Sequence, residues 1–423
     1  LFLEKLVQET EKEHEDILEQ ADETDAMFGE LYSWYLRNPE YRSRVQKLVQ
    51  SAFAGKPEDI ISQSVAKALY GEVSPYSATR LERFAACAFA HFLQYGMKLT
   101  ERVEYEFKPM DMGNVMHEAL ESFAEEVRKR GMKWTELTEQ ERNEIADRCL
   151  DNIVADYGNT VLKSSARNEY MIERTRRILR RTVWALQKQL EQGEFQPEGF
   201  EVTFGGGRID RVDIMEDQNK VYVKVIDYKT GNTSFDLVYL YHGLQLQLMI
   251  YLDGALRVEQ KKYPDKEIIP AGVFYYNIKD PMIQEKIDAD VEAVSAGLMK
   301  ELKMNGLVQA DPELVYRMDS SLGSIPVAFN KDGSFRKNSS VADRTQFAVL
   351  GRYVRTKIEK IRSSILEGDA EVSPYELGKK NACTYCPYMT VCGFDRRLSG
   401  YEFRRLKNFS DEELWKAFDR EAE

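Results

Sequence analysis

Apolar positions along this chain recur with two periods, and the change of period divides it. Up to about residue 72 they keep helical spacing: Leu3, Leu6 and Val7, then Phe28, Leu31, Tyr32 and Trp34, then Val45, Leu48 and Val49. Spacings of three and four gather such residues on one helix face. Past Pro197 and Gly199 the period falls to two, with Phe200, Val202 and Phe204, then Val221, Val223 and Val225. Alternation marks half-buried strands, and the polar stretch 216–219 between them reads as a turn, so a meander is predicted. Two long polar-faced helices are predicted over about 136–192. A helix with Tyr241, Leu244, Gln245, Gln247, Leu248 and Tyr251 should follow the meander. Then come a strand over about 268–276, a helix over about 287–304 and a long one over about 343–367. Strands interleaved with helices predict an α/β chain with a mixed central sheet.

The meander carries misplaced charge. Arg208-Ile209-Asp210-Arg211-Val212-Asp213 lies on one strand, and Val225-Ile226-Asp227-Tyr228-Lys229-Thr230 on the next. Asp227 and Lys229 are two apart and share a face. Carboxylates beside Ile209 and Ile226 are unfavourable unless neutralised. A hard divalent cation held by carboxylate oxygens would do this; an Asp–Lys ion pair on an exposed strand face is the alternative. Gln247 and Tyr251 stand one turn apart on a common helix face. Gln247 needs a hydrogen-bond partner, either backbone or a group at this charged site. His117 sits near the apolar stripe of a helix predicted to follow Gly113, with Val115, Met116, Leu120 and Phe123. It is either a core histidine or a metal ligand.

Cysteines make a second constellation. Cys383-Thr384-Tyr385-Cys386-Pro387-Tyr388-Met389-Thr390-Val391-Cys392 has the spacing C-x2-C-x5-C, a metal-site pattern. Cys87 is the candidate fourth ligand, at the end of a helix that Ser77 would cap and that carries Leu81 and Phe84. Four thiolates suit zinc or a [4Fe–4S] cluster, and the spacing leaves both open. Cys149, in a helical pattern, reads as a buried apolar thiol.

The 423 residues allow more than one core, and the formal net charge is −12. That balance speaks against a basic protein that coats nucleic acid, though not against local basic patches. Arg174, Arg176, Arg177, Arg180 and Arg181 form such a run, either a solvated helix face or a phosphate-contacting stripe. No apolar run has the length of a membrane span. Gly205-Gly206-Gly207 lacks the trailing Gly-Lys-Ser/Thr of a phosphate loop, so no ATP site is expected in this chain. The chain opens with Leu inside an uncapped helical pattern, which suggests a piece cut from something longer.

In combination these features resemble one family. Ser77-x3-Leu81-x2-Phe84-x2-Cys87, Gly113-x3-His117, Gly207 to Asp213, Ile226-Asp227-Tyr228-Lys229, Gln247-x3-Tyr251, Phe274-Tyr275-Tyr276 and the cysteine triplet occur in its order. The family is the C-terminal nuclease domain of the B subunit of bacterial AddAB (RexAB-type) helicase–nucleases, a RecB-like member of the PD-(D/E)XK superfamily. The resemblance implies a restriction-endonuclease-like core with large helical additions, an iron–sulfur staple and a Mg2+-dependent deoxyribonuclease, for which Mn2+ or Ca2+ serve in vitro.

By the same resemblance, His117, Asp210, Asp227 and the Tyr228 carbonyl hold metal. Lys229 is catalytic beside the two aspartates, Gln247 and Tyr251 support it, and Asp213 ranks below Asp210. Cys87, Cys383, Cys386 and Cys392 bind a [4Fe–4S] cluster, with Zn2+ as the alternative. Ala88 stands where the family often has Pro after its first cysteine, a change in a loop rather than in a ligand.

Partners implied are linear DNA, delivered as a single strand, and the A subunit. The setting is the bacterial cytoplasm and nucleoid, with no membrane. Residues 1–73 would end a helicase-like region, 74–400 form the nuclease domain and 401–423 a helical tail. Rival readings are a stand-alone CRISPR-associated four-cysteine nuclease, an idle scaffold that grips DNA or a motor subunit, and a zinc-stapled binding module.

Overall fold

The computed structural model describes residues 23–52, 60–71, 77–100, 109–156, 165–205, 207–283, 290–398 and 400–422. Positions 1–22, including the first predicted helix, lie outside them. The centre is a six-stranded sheet in the order β1 to β6: Gln196–Phe204, Gly207–Asp217, Lys220–Lys229, Glu267–Asn277, Asn305–Gln309 and Val341–Ala342. The predicted meander is there. β1, β2 and β3 pair antiparallel in sequence, with Gln218 and Asn219 turning between Asp217 and Lys220. β3 then pairs parallel with β4, β4 antiparallel with β5, and β5 parallel with β6.

Side-chain alternation along β3 builds two cores at once. Val221, Val223 and Val225 pack on one face with the helices Ala78–Ala86, Gln247–Lys262 and Arg344–Glu367. Tyr222, Ile226 and Tyr228 pack on the other with the helices Pro109–Lys129, Glu139–Asp156 and Ala166–Glu191. A strand between two helical layers must be apolar on both sides, which explains the nearly unbroken run Val221 to Tyr228. The segments read as flanking also join the second core. Helix Gln63–Tyr70 buries Ala66 and Tyr70, and helix Asp411–Ala422 buries Leu414, Ala417 and Phe418. Cys149 is buried in the first core, as its spacing predicts.

Three local expectations are corrected. The helix after Gly231 is two helices, Leu237–Tyr241 and Gln247–Lys262. Gly243 takes φ +77° in the break, a conformation that glycine adopts without steric penalty. The Glu82 carboxylate accepts from the N–H groups of Leu246 and Gln247 at 2.7 and 3.0 Å and restarts the second helix. The helix bearing His117 begins at Pro109, so Gly113 lies inside it. The helix capped by Ser77 stops at Ala86, leaving Cys87 extended at φ −167°. No helix among the described residues is long and apolar enough to cross a membrane.

Candidate metal and carboxylate centre

The register of β1 against β2 assembles the centre. Phe200 pairs with Arg211 and Val202 with Ile209, so Glu201 falls opposite Asp210. Alternation slips here: Ile209 and Val212, three apart, both enter the second core. Glu201 has φ +48°, a strained backbone for a side chain with a Cβ. The irregularity aims Glu201 and Asp210 at a common point, as bulges do beside functional sites.

His117 completes this corner. Its Nδ1 lies 3.4 Å from Asp210 Oδ2 and 3.7 Å from Glu201 Oε1. Its Nε2 is 3.1 Å from the Tyr228 carbonyl, which can only accept, so Nε2 carries the proton in this arrangement. Burial works to lower the pKa of His117, but hydrogen bonds and charge from Asp210 and Glu201 outweigh it and push it up to about 10. The Tyr228 N–H donates to Asp210 Oδ2 at 2.7 Å. Ligand atoms of His117, Glu201 and Asp210 all lie within 4.8 Å of one another, the only such group of three or more among the described residues.

Asp227 and Lys229 stand beside it on β3. Lys229 Nζ is 2.6 Å from Asp227 Oδ2 and donates to Gln247 Oε1 at 2.8 Å. Gln247 Nε2 reaches Asp227 Oδ1 at 2.7 Å and the Tyr251 hydroxyl at 3.0 Å. Gln247 thus holds the carboxylate and the ammonium together. Burial pushes the Asp227 carboxyl well above its usual range; Asp210 adds to this and Lys229 opposes it. Glu82 faces the same pair from the neighbouring helix and is pushed up to about 7, first by burial.

The residues singled out by sequence, His117, Asp210, Asp227, Tyr228, Lys229, Gln247 and Tyr251, therefore converge. Asp213 does not. It is fully buried, paired with Arg211 at 2.5 Å and with Lys224 at 2.9 Å, a core ion cluster behind the strand. Sequence reasoning missed Glu201 and Glu82. Glu201 was legible as the polar residue between Phe200 and Val202; nothing in the sequence marks Glu82.

The donor set fits a hard divalent cation. It offers carboxylate and carbonyl oxygens plus one imidazole. Carboxylates of Glu82, Glu201, Asp210 and Asp227 also outnumber the nearby cations Lys229 and His117, and Asp227 shows the strain of that surplus in its raised pKa.

The cysteines form a separate centre on the far side of helix Ala78–Ala86. Cys87, Cys383, Cys386 and Cys392 line one small apolar cavity with Phe89 and Phe394. Burial, then the neighbouring thiols Cys87, Cys386 and Cys392, push Cys383 up to about 12. Backbone N–H groups of Ala90, Ser373 and Phe89 face the Cys87 sulfur, and Arg83 Nη2 is 3.9 Å from Cys386 Sγ.

A mixed sheet whose central strands bring Asp and Asp-x-Lys together beside a histidine defines a metal-dependent phosphodiesterase core of the restriction-endonuclease kind. Residues 75–393 match the PD-(D/E)XK nuclease superfamily, and the chain belongs to that superfamily. It is 41% identical over 425 residues to the B subunit of the ATP-dependent helicase/deoxyribonuclease of Lachnoclostridium phytofermentans, covering 95% of this chain and 36% of the relative. The proteins of the same name from a Thermoanaerobacter species and Clostridium acetobutylicum are 34% and 33% identical. These matches cover 95% and 94% of this chain, and 37% and 36% of the relatives. The chain thus spans about a third of the length of the curated relatives it matches.

Proposed function

We propose that this chain is the deoxyribonuclease part of a B subunit in a bacterial helicase–nuclease that processes double-strand DNA ends for recombinational repair. The observation that carries the reading is the Asp227–Lys229–Gln247 triangle beside the His117–Glu201–Asp210 corner. An idle scaffold has no use for a buried carboxylate with a raised pKa and a lysine pinned against it. The relatives' shared name favours the helicase–nuclease over a stand-alone enzyme. It also supplies the proposed partners, the A subunit and linear DNA.

His117, Asp210, Asp227 and the Tyr228 carbonyl would hold one or two Mg2+ ions, with Glu201 as a further oxygen ligand. When bound, Mg2+ supplies Lewis-acid polarisation of the phosphoryl oxygen and a water of lowered pKa. The protein's own part is positional. Lys229, fixed by Asp227 and Gln247, directs its ammonium at the attacked phosphate and offsets charge developing on its oxygens. Gln247 sets the direction of Lys229, and Tyr251 sets the direction of Gln247. The Tyr228 N–H keeps one Asp210 oxygen occupied, so the other is free to ligate.

The four thiols are assigned to a [4Fe–4S] cluster rather than Zn2+. A tetrahedral zinc with Zn–S bonds near 2.3 Å draws its sulfurs to about 3.8 Å apart. No three of these thiols lie within 4.8 Å of one another. Backbone N–H groups aimed at a ligating sulfur also suit a cluster, whose potential they tune. The cluster would staple Cys87 to the end of the domain, closing a long loop.

The test is degradation of linear DNA by the anaerobically purified chain with Mg2+ and without ATP, beside Lys229→Ala. The expected result is cutting that the variant abolishes. Equal cutting by both proteins would overturn the site. No cutting by either, even with the A subunit and ATP added, would overturn the activity.

A further inference from the structure

A groove of about 710 Å3 lies between helix Ala166–Glu191 and helix Val291–Glu301, with Arg142 at its base. Arg142, Arg177, Arg181 and Trp184 line one side, and Val294 and Leu298 the other. The arginine run thus faces a concave surface instead of a free helix side.

Arg142 is only 6% exposed. One of its terminal nitrogens donates to Gln187 at 2.6 Å, while its Nε has no hydrogen-bond partner. It makes no ion pair with a carboxylate among the described residues, and burial lowers its pKa. A buried guanidinium with an unused donor calls for an anion. Its neighbours differ in how far they are already neutralised. Arg176 is paired with Asp151 and Arg180 with Asp147. Arg181 has no carboxylate partner among the described residues and stands 5.7 Å over the ring of Trp184. Trp184 is partly exposed beside it. Local positive charge in a chain of net charge −12, next to an aromatic platform, is the combination that grips single-stranded nucleic acid.

The groove also adjoins the nuclease centre. Arg177 pairs with Asp280 at 2.6 Å. Asp280 lies two residues past Ile278, whose N–H donates to the Lys229 carbonyl at 2.7 Å. We propose that this groove binds a single-stranded DNA segment beside the catalytic centre, with phosphates on Arg142, Arg177 and Arg181 and a base stacked on Trp184. The proposal rests on the nuclease reading for the identity of the strand. The groove lies beyond the reach of the catalytic side chains, so it sets substrate affinity and leaves the chemistry alone.

The experiment uses the full chain carrying Lys229→Ala, in EDTA, with a fluorescent oligothymidylate read by anisotropy. Arg181→Ala with Trp184→Leu should weaken binding about tenfold or more. Arg177→Ala with Arg181→Ala should flatten the dependence of log K on log salt by about 0.7 for each phosphate left without its arginine. Arg352→Ala, an exposed arginine elsewhere, should do neither. In the chain with Lys229 intact, the groove variants should raise KM on single strands and leave kcat unchanged. Groove variants that bind like Arg352→Ala overturn the proposal, as does equal binding of a blunt duplex. Because binding is read without metal or cutting, failure of the groove and failure of the nuclease reading give separate signals.

Discussion

Glu201 stands directly across the β1–β2 pairing from Asp210, and both carboxylates reach His117 Nδ1, at 3.7 and 3.4 Å. Sequence patterning had singled out Asp210 alone, so the pair yields a first prediction. Glu201→Gln keeps the shape and removes one charge. The Mg2+ concentration for half-maximal cutting should rise about tenfold, the loss typical of residues that support a metal site. The pKa of His117 should fall from about 10 toward its ordinary value. Metal titration and histidine NMR measure the two effects; an unchanged metal requirement would remove Glu201 from the site.

Gln247 touches Asp227, Lys229 and Tyr251 at once. Gln247→Leu should lower kcat about 100-fold through misplacement of Lys229, with little change in KM or melting temperature. Gln247→Glu should restore part of the rate, since one carboxylate oxygen can still accept from Lys229. A variant whose loss appears only in KM would show that Gln247 binds substrate instead of positioning the lysine.

Asp213 and Asp210 lie on the same strand but should behave in opposite ways. Asp213→Ala strands Arg211 and Lys224 in the core and should destabilise the fold by about 3–5 kcal/mol. Asp210→Asn should abolish cutting and leave the melting temperature near that of the parent. Denaturant melts of both variants, with activity measured in parallel, separate the roles. A stable Asp213→Ala protein would contradict the buried cluster.

Removing one thiol tests the cluster. Cys386→Ser should lose the iron and the visible absorbance of the anaerobic protein. It should also lose about 5 kcal/mol of stability, the scale expected for cross-linking a loop of 100 residues or more. Iron and sulfide analysis of the parent chain decides between cluster and zinc. One zinc and no iron would reverse the assignment.

His91 makes the fold acid-sensitive. It is fully buried, accepts from Arg80 Nε at 3.2 Å, and is pushed down to about 3, first by burial and then by Arg80 and Arg83. A folded pKa below the unfolded value means that the neutral form stabilises the fold. That stability is complete above about 6.5 and declines as pH falls from there toward about 3. The melting temperature should therefore drop between about pH 7.5 and about pH 5, and His91→Phe should show a smaller drop. An identical drop in both proteins would place the acid sensitivity elsewhere.

The chain's periodicities determined a good deal by themselves. Alternation at 200–228 yields the meander and places Asp227 and Lys229 on one face, because a strand's period of two admits no other arrangement. Helical spacing yields His117 close to an apolar stripe, and the cysteine spacing yields a metal centre. Fold class and family follow from those local rules. Tertiary structure alone decided the rest. Whether Asp210 or Asp213 faces the site depends on a slip in alternation that only the β1 partner strand enforces. Glu201 joins through cross-strand register, and Glu82 by capping a helix that the pattern had read as continuous. The groove arises where two helices far apart in sequence meet. Each of these turns on which residues of distant segments share a desolvated space, and local periodicity carries no record of that.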